Sequence, residues 1–430
     1  MNKLVFVVTF SLIAISAFPQ AEWQKHGIKI PPPICYASGQ THKSFVPAPE
    51  EYLKRLKSTA AQKSTIHVTY VNFPANVQSA FQAAVNIWET LISSPVTINL
   101  TARWTSLDTG VLGSCGPYAY YENFDSAPVK DCYYPVALVE KLEGRQITGR
   151  NTPDMIAQFN SDFSNWYFGT DGKTPVGDYD FMTVVLHEIG HGLGFTGFFF
   201  EQNGLGTYGD VLPFPGIFDE YVINGSAQKL VDTTLFARPS TELAQQFTSN
   251  SLHYKSETAL MGSTNGTYPR LYAPSAFNDG SSLYHLNEAT YPSGTLNSLM
   301  TPFFAKGEAV HNPGPLTMGI FADMGWNFTR IIHNKIQDRE TVTGPIPVNA
   351  EITTDSGIDS SSVKLVYSTD GFQTTHVVPL TYDIRQKLFT TDWTGLNDGV
   401  YDYYISVTDD QGRKYYAPAD GPADYFEFVI

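Results

Sequence analysis

The sequence predicts an α+β domain followed by an all-β sandwich. Between Ser64 and Asn160, short β-branched segments bracket one long amphipathic helix, the order of a sheet with helices packed on it. A strongly apolar helical segment with two histidines follows at 180–194. Beyond Thr343-Gly344-Pro345 the texture changes to short alternating strands separated by turns. At 430 residues the chain is long enough for two or three domains, each with its own core.

The elements follow in order. Residues 1–21 carry Lys3, a nearly unbroken apolar run from Leu4 to Ile15, then small residues at Ser16, Ala17 and Ala21. This is the pattern of a secretory signal peptide, too short to span a membrane, so the expectation is an exported protein with no stable membrane insertion. Residues 22–63 read as loop, with Pro31-Pro32-Pro33 and a short helical piece from Glu50 to Ala61: an N-terminal extension or propeptide. Residues 64–340 form the first domain. Thr65–Val71 alternates as a strand, Val77–Ile92 has helical apolar spacing, and Val96–Trp104 is a second strand. A helix at Pro135–Leu142 and a strand at Met155–Asn160 lead into the histidine helix. From about 198 to 280 the chain is rich in Gly, Pro and aromatics, with one weak strand at Phe218–Ile223 and one weak helix at Ser240–Phe247. That length marks an insertion with partial structure of its own. Pro315 and Gly325 bracket a further helix. Residues 345–430 hold segments such as Val363–Tyr367, Gln373–Leu380, Lys387–Thr391, Tyr401–Val407 and Tyr425–Val429, the spacing of an immunoglobulin-like β-sandwich. It carries no catalytic constellation, which favours an accessory or spacer role.

A net charge of −15 and a pI near 5.0 leave no basic stripe to neutralise phosphates, so nucleic acid is excluded as a partner. Of the three cysteines, Cys115 and Cys132 are expected to pair across a short loop, leaving Cys35 as an unpaired thiol. Sequons stand at Asn99, Asn224, Asn265 and Asn327. Composition does not fix the oligomeric state.

The stretch that organises the chain is His187-Glu188-Ile189-Gly190-His191-Gly192-Leu193-Gly194-Phe195. Histidines at i and i+4 lie on one helix face and reach one metal, while Glu188 points beside it, placed to take a proton from a metal-bound water. Gly192 and Gly194 end the helix early. A catalytic zinc takes three protein ligands and leaves the fourth position to water. A glutamate third ligand, as in thermolysin-type peptidases, makes Glu201 or Glu220 the candidates. In the compact metzincin pattern HExxHxxGxxH, Gly194 matches the glycine, but Gly197 stands where the third histidine belongs.

Here the chain resembles the metzincins, and within them the leishmanolysin-type peptidases, which place an insertion between that glycine and the third histidine. A methionine in a tight turn, within Met-x-Pro, follows in that family. This sequence has His285 and then Leu299-Met300-Thr301-Pro302, and the helix from Pro315 to Trp326 is similar to the one following the Met-turn. Over about residues 64–327 the resemblance implies a zinc endopeptidase acting on protein or peptide substrates. It implies His187, His191 and His285 as metal ligands, Glu188 as general base and Met300 beneath the metal. His253 competes with His285; His311 lies past the turn. In such proteins a propeptide cysteine can occupy the open metal position and hold the enzyme latent, a role open to Cys35 beside that of an incidental thiol or disulfide partner. Two other functions stay open: a thermolysin-like zinc peptidase, and a non-catalytic secreted adhesin whose metal site is structural.

Overall fold

The computed structural model describes residues 28, 30–57, 62–149, 151–208, 212–261, 266–327, 329–341, 344–355, 357–410, 412, 414–418, 421–422 and 425–430. The stretch 1–21, expected as a signal peptide, and the sequon at Asn265 lie outside the described residues. In chain order the first part comprises β1 (Ile34–Val46), α1 (Glu50–Arg55), β2 (Ile66–Val71), α2 (Ala75–Leu91), β3 (Ile98–Thr105) and β4 (Val111–Pro117). A small hairpin, β5 (Tyr120–Glu122) and β6 (Tyr133–Pro135), precedes α3 (Val136–Glu143) and β7 (Met155–Asn160). The short pair β8 (Trp166–Tyr167) and β9 (Tyr179–Asp180) then leads into α4 (Phe181–Leu193), the histidine helix.

The described residues of the stretch at about 198–280 carry regular structure. It holds the hairpin β10 (Phe200–Gln202) and β11 (Leu205–Thr207), β12 (Val222–Asn224), α5 (Thr241–Phe247), β13 (Leu252–Tyr254) and α6 (Glu257–Met261). Phe218–Ile223, expected as a strand, is a 3₁₀ turn at Asp219–Tyr221 running into β12. The chain returns to the main sheet in β14 (Phe303–Val310), followed by α7 (Gly314–Met324), which ends at Gly325 with φ of 117°.

The main sheet has six strands in the order β14-β1-β4-β7-β3-β2. β2, β3 and β7 run parallel, and β4 is antiparallel to β7. Helices α2 and α4 cover one face. Trp88 of α2 is buried there and donates its indole N–H to the Leu186 carbonyl of α4 at 2.9 Å. The apolar stripe of α2 and the almost wholly apolar α4 close one continuous core with the sheet.

One expectation fails clearly. Residues 34–46 are not loop: β1 lies inside the sheet, antiparallel to β4 and parallel to β14. Its outer half is polar and exposed, and its register slips between Ala37 and Thr41 around Gly39, at φ of 70°. Backbone pairing holds that half, and backbone pairing leaves no apolar alternation to read. The expected Cys115–Cys132 disulfide is also absent. Both are buried free thiols, Cys115 on β4 under α4 and Cys132 at the start of the β6 region, and Cys35 is a third.

The C-terminal part has its own core and two facing sheets. One runs β15 (Thr329–Ile332), β16 (Ile346–Thr354), β20 (Leu388–Trp393) and β19 (Thr381–Asp383). The other runs β18 (His376–Pro379), β17 (Ile358–Ser368), β21 (Val400–Asp409) and β22 (Lys414–Ala417), with β23 (Phe426–Val429) on β21. β15 precedes the boundary drawn at 340–345: Ile331 and Ile336 pack into the second core, ahead of the Gly-Pro pair that marks the change in texture. At the junction Lys141 of α3 is almost wholly buried. Its ammonium donates to the Gly325 carbonyl at 2.7 Å and meets Asp355 of the second part at 2.5 Å.

Candidate metal centre

The histidine helix starts at a dense cap. Asp180 accepts from the Thr183 amide at 2.8 Å and from the Thr183 and Thr174 hydroxyls, and His311 Nε2 lies 2.9 Å from the same carboxylate. The Thr183 hydroxyl in turn accepts from the Val310 amide at 2.8 Å. His311 therefore serves the base of the helix. At the other end Gly194, at φ of 123°, caps α4, and the Trp326 indole donates to the Leu193 carbonyl at 2.7 Å. A side chain other than glycine is strained at that φ, so the early stop is built into the sequence.

His187, His191 and His285 converge, all three fully buried. Their Nε2 atoms lie 3.0 Å apart for His187–His191 and 3.1 Å for His191–His285. Each Nδ1 sits against a backbone carbonyl: His187 on Leu299 at 2.6 Å, His191 on Phe195 at 2.7 Å, His285 on Ser281 at 2.9 Å. A carbonyl only accepts, so each Nδ1 carries the proton and each Nε2 presents a lone pair to the same point. Three lone pairs facing one another repel unless a cation lies between them. Zn–N bonds of about 2.0–2.1 Å in tetrahedral geometry separate the nitrogens by about 3.3 Å, close to the spacing here. The group could hold a metal ion, and the donor set fits zinc. Burial lowers all three histidine pKa values, His187 to about 4, which keeps the imidazoles neutral and available as ligands.

Glu188 is fully buried on the adjacent face, and neither carboxylate oxygen has a hydrogen-bond partner at full geometry. Burial pushes its pKa well up, offset only in part by the Cys115 amide. Against this carboxyl stands Gly113 of β4, where a Cβ would sit 3.2 Å from Glu188 Oε1. Met300 lies in a turn closed by the Thr301 hydroxyl on the Ser298 carbonyl at 2.8 Å. Its sulfur would be 2.9 Å from a Cβ on Gly190, so the methionine packs directly under the two-histidine turn.

Among the described residues two groups of three could share an ion: the histidine triad, and Cys35 with His187 and Glu188, whose ligand atoms lie within 4.8 Å of one another. Cys35 is opposite Gly113 in the β1–β4 pairing. Burial, then the neighbouring carboxyls of Glu188, Glu308 and Glu288, raise its thiol pKa. The other candidates lie elsewhere. Glu201 accepts from the Gly204 amide in its hairpin, Glu220 pairs with Lys229, and His253 sits in β13 opposite Ile223. Of the sequons, Asn224 and Asn327 are buried, the latter donating to the Leu91 carbonyl at 3.0 Å. Sequence reasoning missed the three carbonyl acceptors, which no side chain announces. It also missed Asp180, which an Asp three residues before Thr183 at the head of an apolar helix could have signalled.

A family profile described as SPBPB7E8-like matches residues 105–214, a stretch that contains His187, Glu188 and His191 and stops short of His285. No curated protein matches the chain.

Proposed function

We propose that this protein is an exported zinc endopeptidase of the metzincin type, with His187, His191 and His285 holding the metal and Glu188 as general base. The observation that carries this is the convergence of three Nε2 atoms, on rings whose Nδ1 atoms each meet a backbone carbonyl, beside a buried carboxyl that no other side chain uses. Zinc, when bound, supplies a Lewis acid and lowers the pKa of a coordinated water to about 7. Glu188 takes the proton of the attacking water on Oε1 or Oε2 and passes it to the leaving amine nitrogen. The carbonyls of Leu299, Phe195 and Ser281 fix the tautomer and orientation of the ligands. A purely structural metal would leave Glu188, buried with no side chain bonded to it, without a compensating role.

The position of β1 bears on regulation. Ile34, Cys35 and Tyr36 run antiparallel along β4 across the Glu188 side of the centre, and the Cys35 sulfur reaches the same space as His187 and Glu188. On this reading the 34–37 segment lies over the Glu188 side of the centre, holds the chain latent and leaves β4 before turnover.

The test is cleavage of a generic unfolded protein by the full chain after limited proteolysis of its N-terminal segment. Chelator and Glu188→Gln should each abolish cleavage, with Glu188→Gln retaining zinc. Cys35→Ala should raise the activity of the uncut chain. A protein that takes up zinc but cleaves nothing before or after removal of the segment would sink the peptidase reading.

A further inference from the structure

The two-histidine helix cannot complete its own site, and the structure contains a physical reason. A Cβ built on Gly197 would overlap Asp219 Oδ1 and lie 2.7 Å from Tyr284 Cε1. Asp219 is fully buried, and three groups converge on its carboxylate. Oδ2 accepts from the Phe198 amide at 2.7 Å and the Gly216 amide at 3.0 Å, and Oδ1 accepts from the Tyr284 hydroxyl at 3.0 Å. The Tyr284 oxygen itself accepts from the Phe199 amide at 2.5 Å. No Lys, Arg or His forms an ion pair with Asp219 among the described residues. A carboxyl wholly out of water and held by two amides and one phenol is a costly group to bury for packing alone.

The three donors belong to three separate segments. Phe198 and Phe199 are the backbone leaving α4, Gly216 closes the turn before Asp219, and Tyr284 immediately precedes His285. We propose that Asp219 is a positioning residue for the third metal ligand, resting on the metal-centre reading above. Through Tyr284 it ties the arriving strand of chain to the departing one, and so sets the His285 ring against His191. His285 is 94 positions from His191, and a ligand on so long a loop must be ordered before it binds, or the ordering entropy is subtracted from metal affinity. Asp219 supplies that order, and Gly197 is the space it needs.

The experiment measures zinc affinity of the full chain by competition with a chromogenic chelator, for Asp219→Ala, Asp219→Asn, Tyr284→Phe and His285→Ala. Asp219→Ala and Tyr284→Phe should each weaken zinc by about 10–100-fold, as loss of a ligand's supporting shell does. Asp219→Asn should stay within a few-fold of wild type. Its carbonyl accepts from both amides and its NH₂ donates to the Tyr284 oxygen, which turns its own proton to the Phe199 carbonyl, 3.3 Å away. In a His285→Ala background Asp219→Ala should cost nothing further, because its effect acts through that ligand. If Asp219→Ala does not fold, Tyr284→Phe carries the same comparison. Wild-type affinity in both variants, or an equal loss in the His285→Ala background, overturns the inference while the metal centre stands. A wild-type chain that takes no zinc, or one that His285→Ala leaves unaffected, overturns the metal-centre reading and this inference with it.

Discussion

Gly192→Ala puts two opposed effects in one substitution. Helix propensity alone favours alanine over an interior glycine by about 0.8–1.0 kcal/mol. Position 192 faces β4, however, and a Cβ there would lie 2.6 Å from the Met155 sulfur, 2.7 Å from the Cys115 sulfur and 3.2 Å from Met155 Cβ. Methionine yields readily, but Cys115 sits on a strand paired on both sides, and the Met155 Cβ is fixed to β7. Overpacking of this kind costs about 1–3 kcal/mol, so the net expectation is destabilisation by about 0–2 kcal/mol. Relief requires α4 to lift from β4, which carries His187 and His191 away from His285. The assay is thermal unfolding of the metal-free protein beside zinc affinity. Both should fall, and Cys115→Ala combined with Gly192→Ala should recover part of the loss by removing one of the two sulfurs. A Gly192→Ala protein more stable than wild type, with unchanged zinc affinity, would refute the reasoning, because propensity would then have won and α4 could not be clamped against the sheet.

Two further outcomes follow from the same packing. Asp180→Ala removes the cap of α4 and leaves Thr174, Thr183 and His311 without their acceptor; we expect a loss of about 2 kcal/mol, measured by urea unfolding. Asp154, buried beside Glu140, has a pKa raised above its ordinary value of 3.8 by burial and then by the Glu140 charge. The folded state therefore holds that proton more tightly than the unfolded chain. Its contribution is complete below the ordinary value and is lost as pH rises through the raised one. Asp154→Asn should flatten the fall in stability between about pH 4 and about pH 7; an unchanged slope would show that the pair does not share a proton.

Much of the first domain was legible because its elements are amphipathic in the simplest sense. The 66–71 and 155–160 strands and the 75–91 helix bury one side each, and period alone locates them. The two-histidine turn is legible because its chemistry sits at contiguous spacing. His285 is not: only the order histidine, insertion, Met-Thr-Pro pointed to it, and the space that Gly197 leaves for Asp219 exists only in three dimensions. β1 escaped because its pairing is carried by amides and carbonyls around a polar sequence. The missing Cys115–Cys132 bond has a related cause. The two residues are close in sequence, but Cys115 is committed to β4 under α4, while Cys132 is carried off by the β5–β6 excursion. Loop length says nothing about direction.

The ammonium of Lys141 has a last consequence. It is enclosed between the carbonyl end of α7 and Asp355, so its charge is balanced from two sides of the junction. A chain shortened to end before Thr329 would keep Lys141 and the Gly325 carbonyl but lose the Asp355 carboxylate across the junction. The terminal module is thereby tied electrostatically to its neighbour, and cutting it away should lower the melting temperature of the first part.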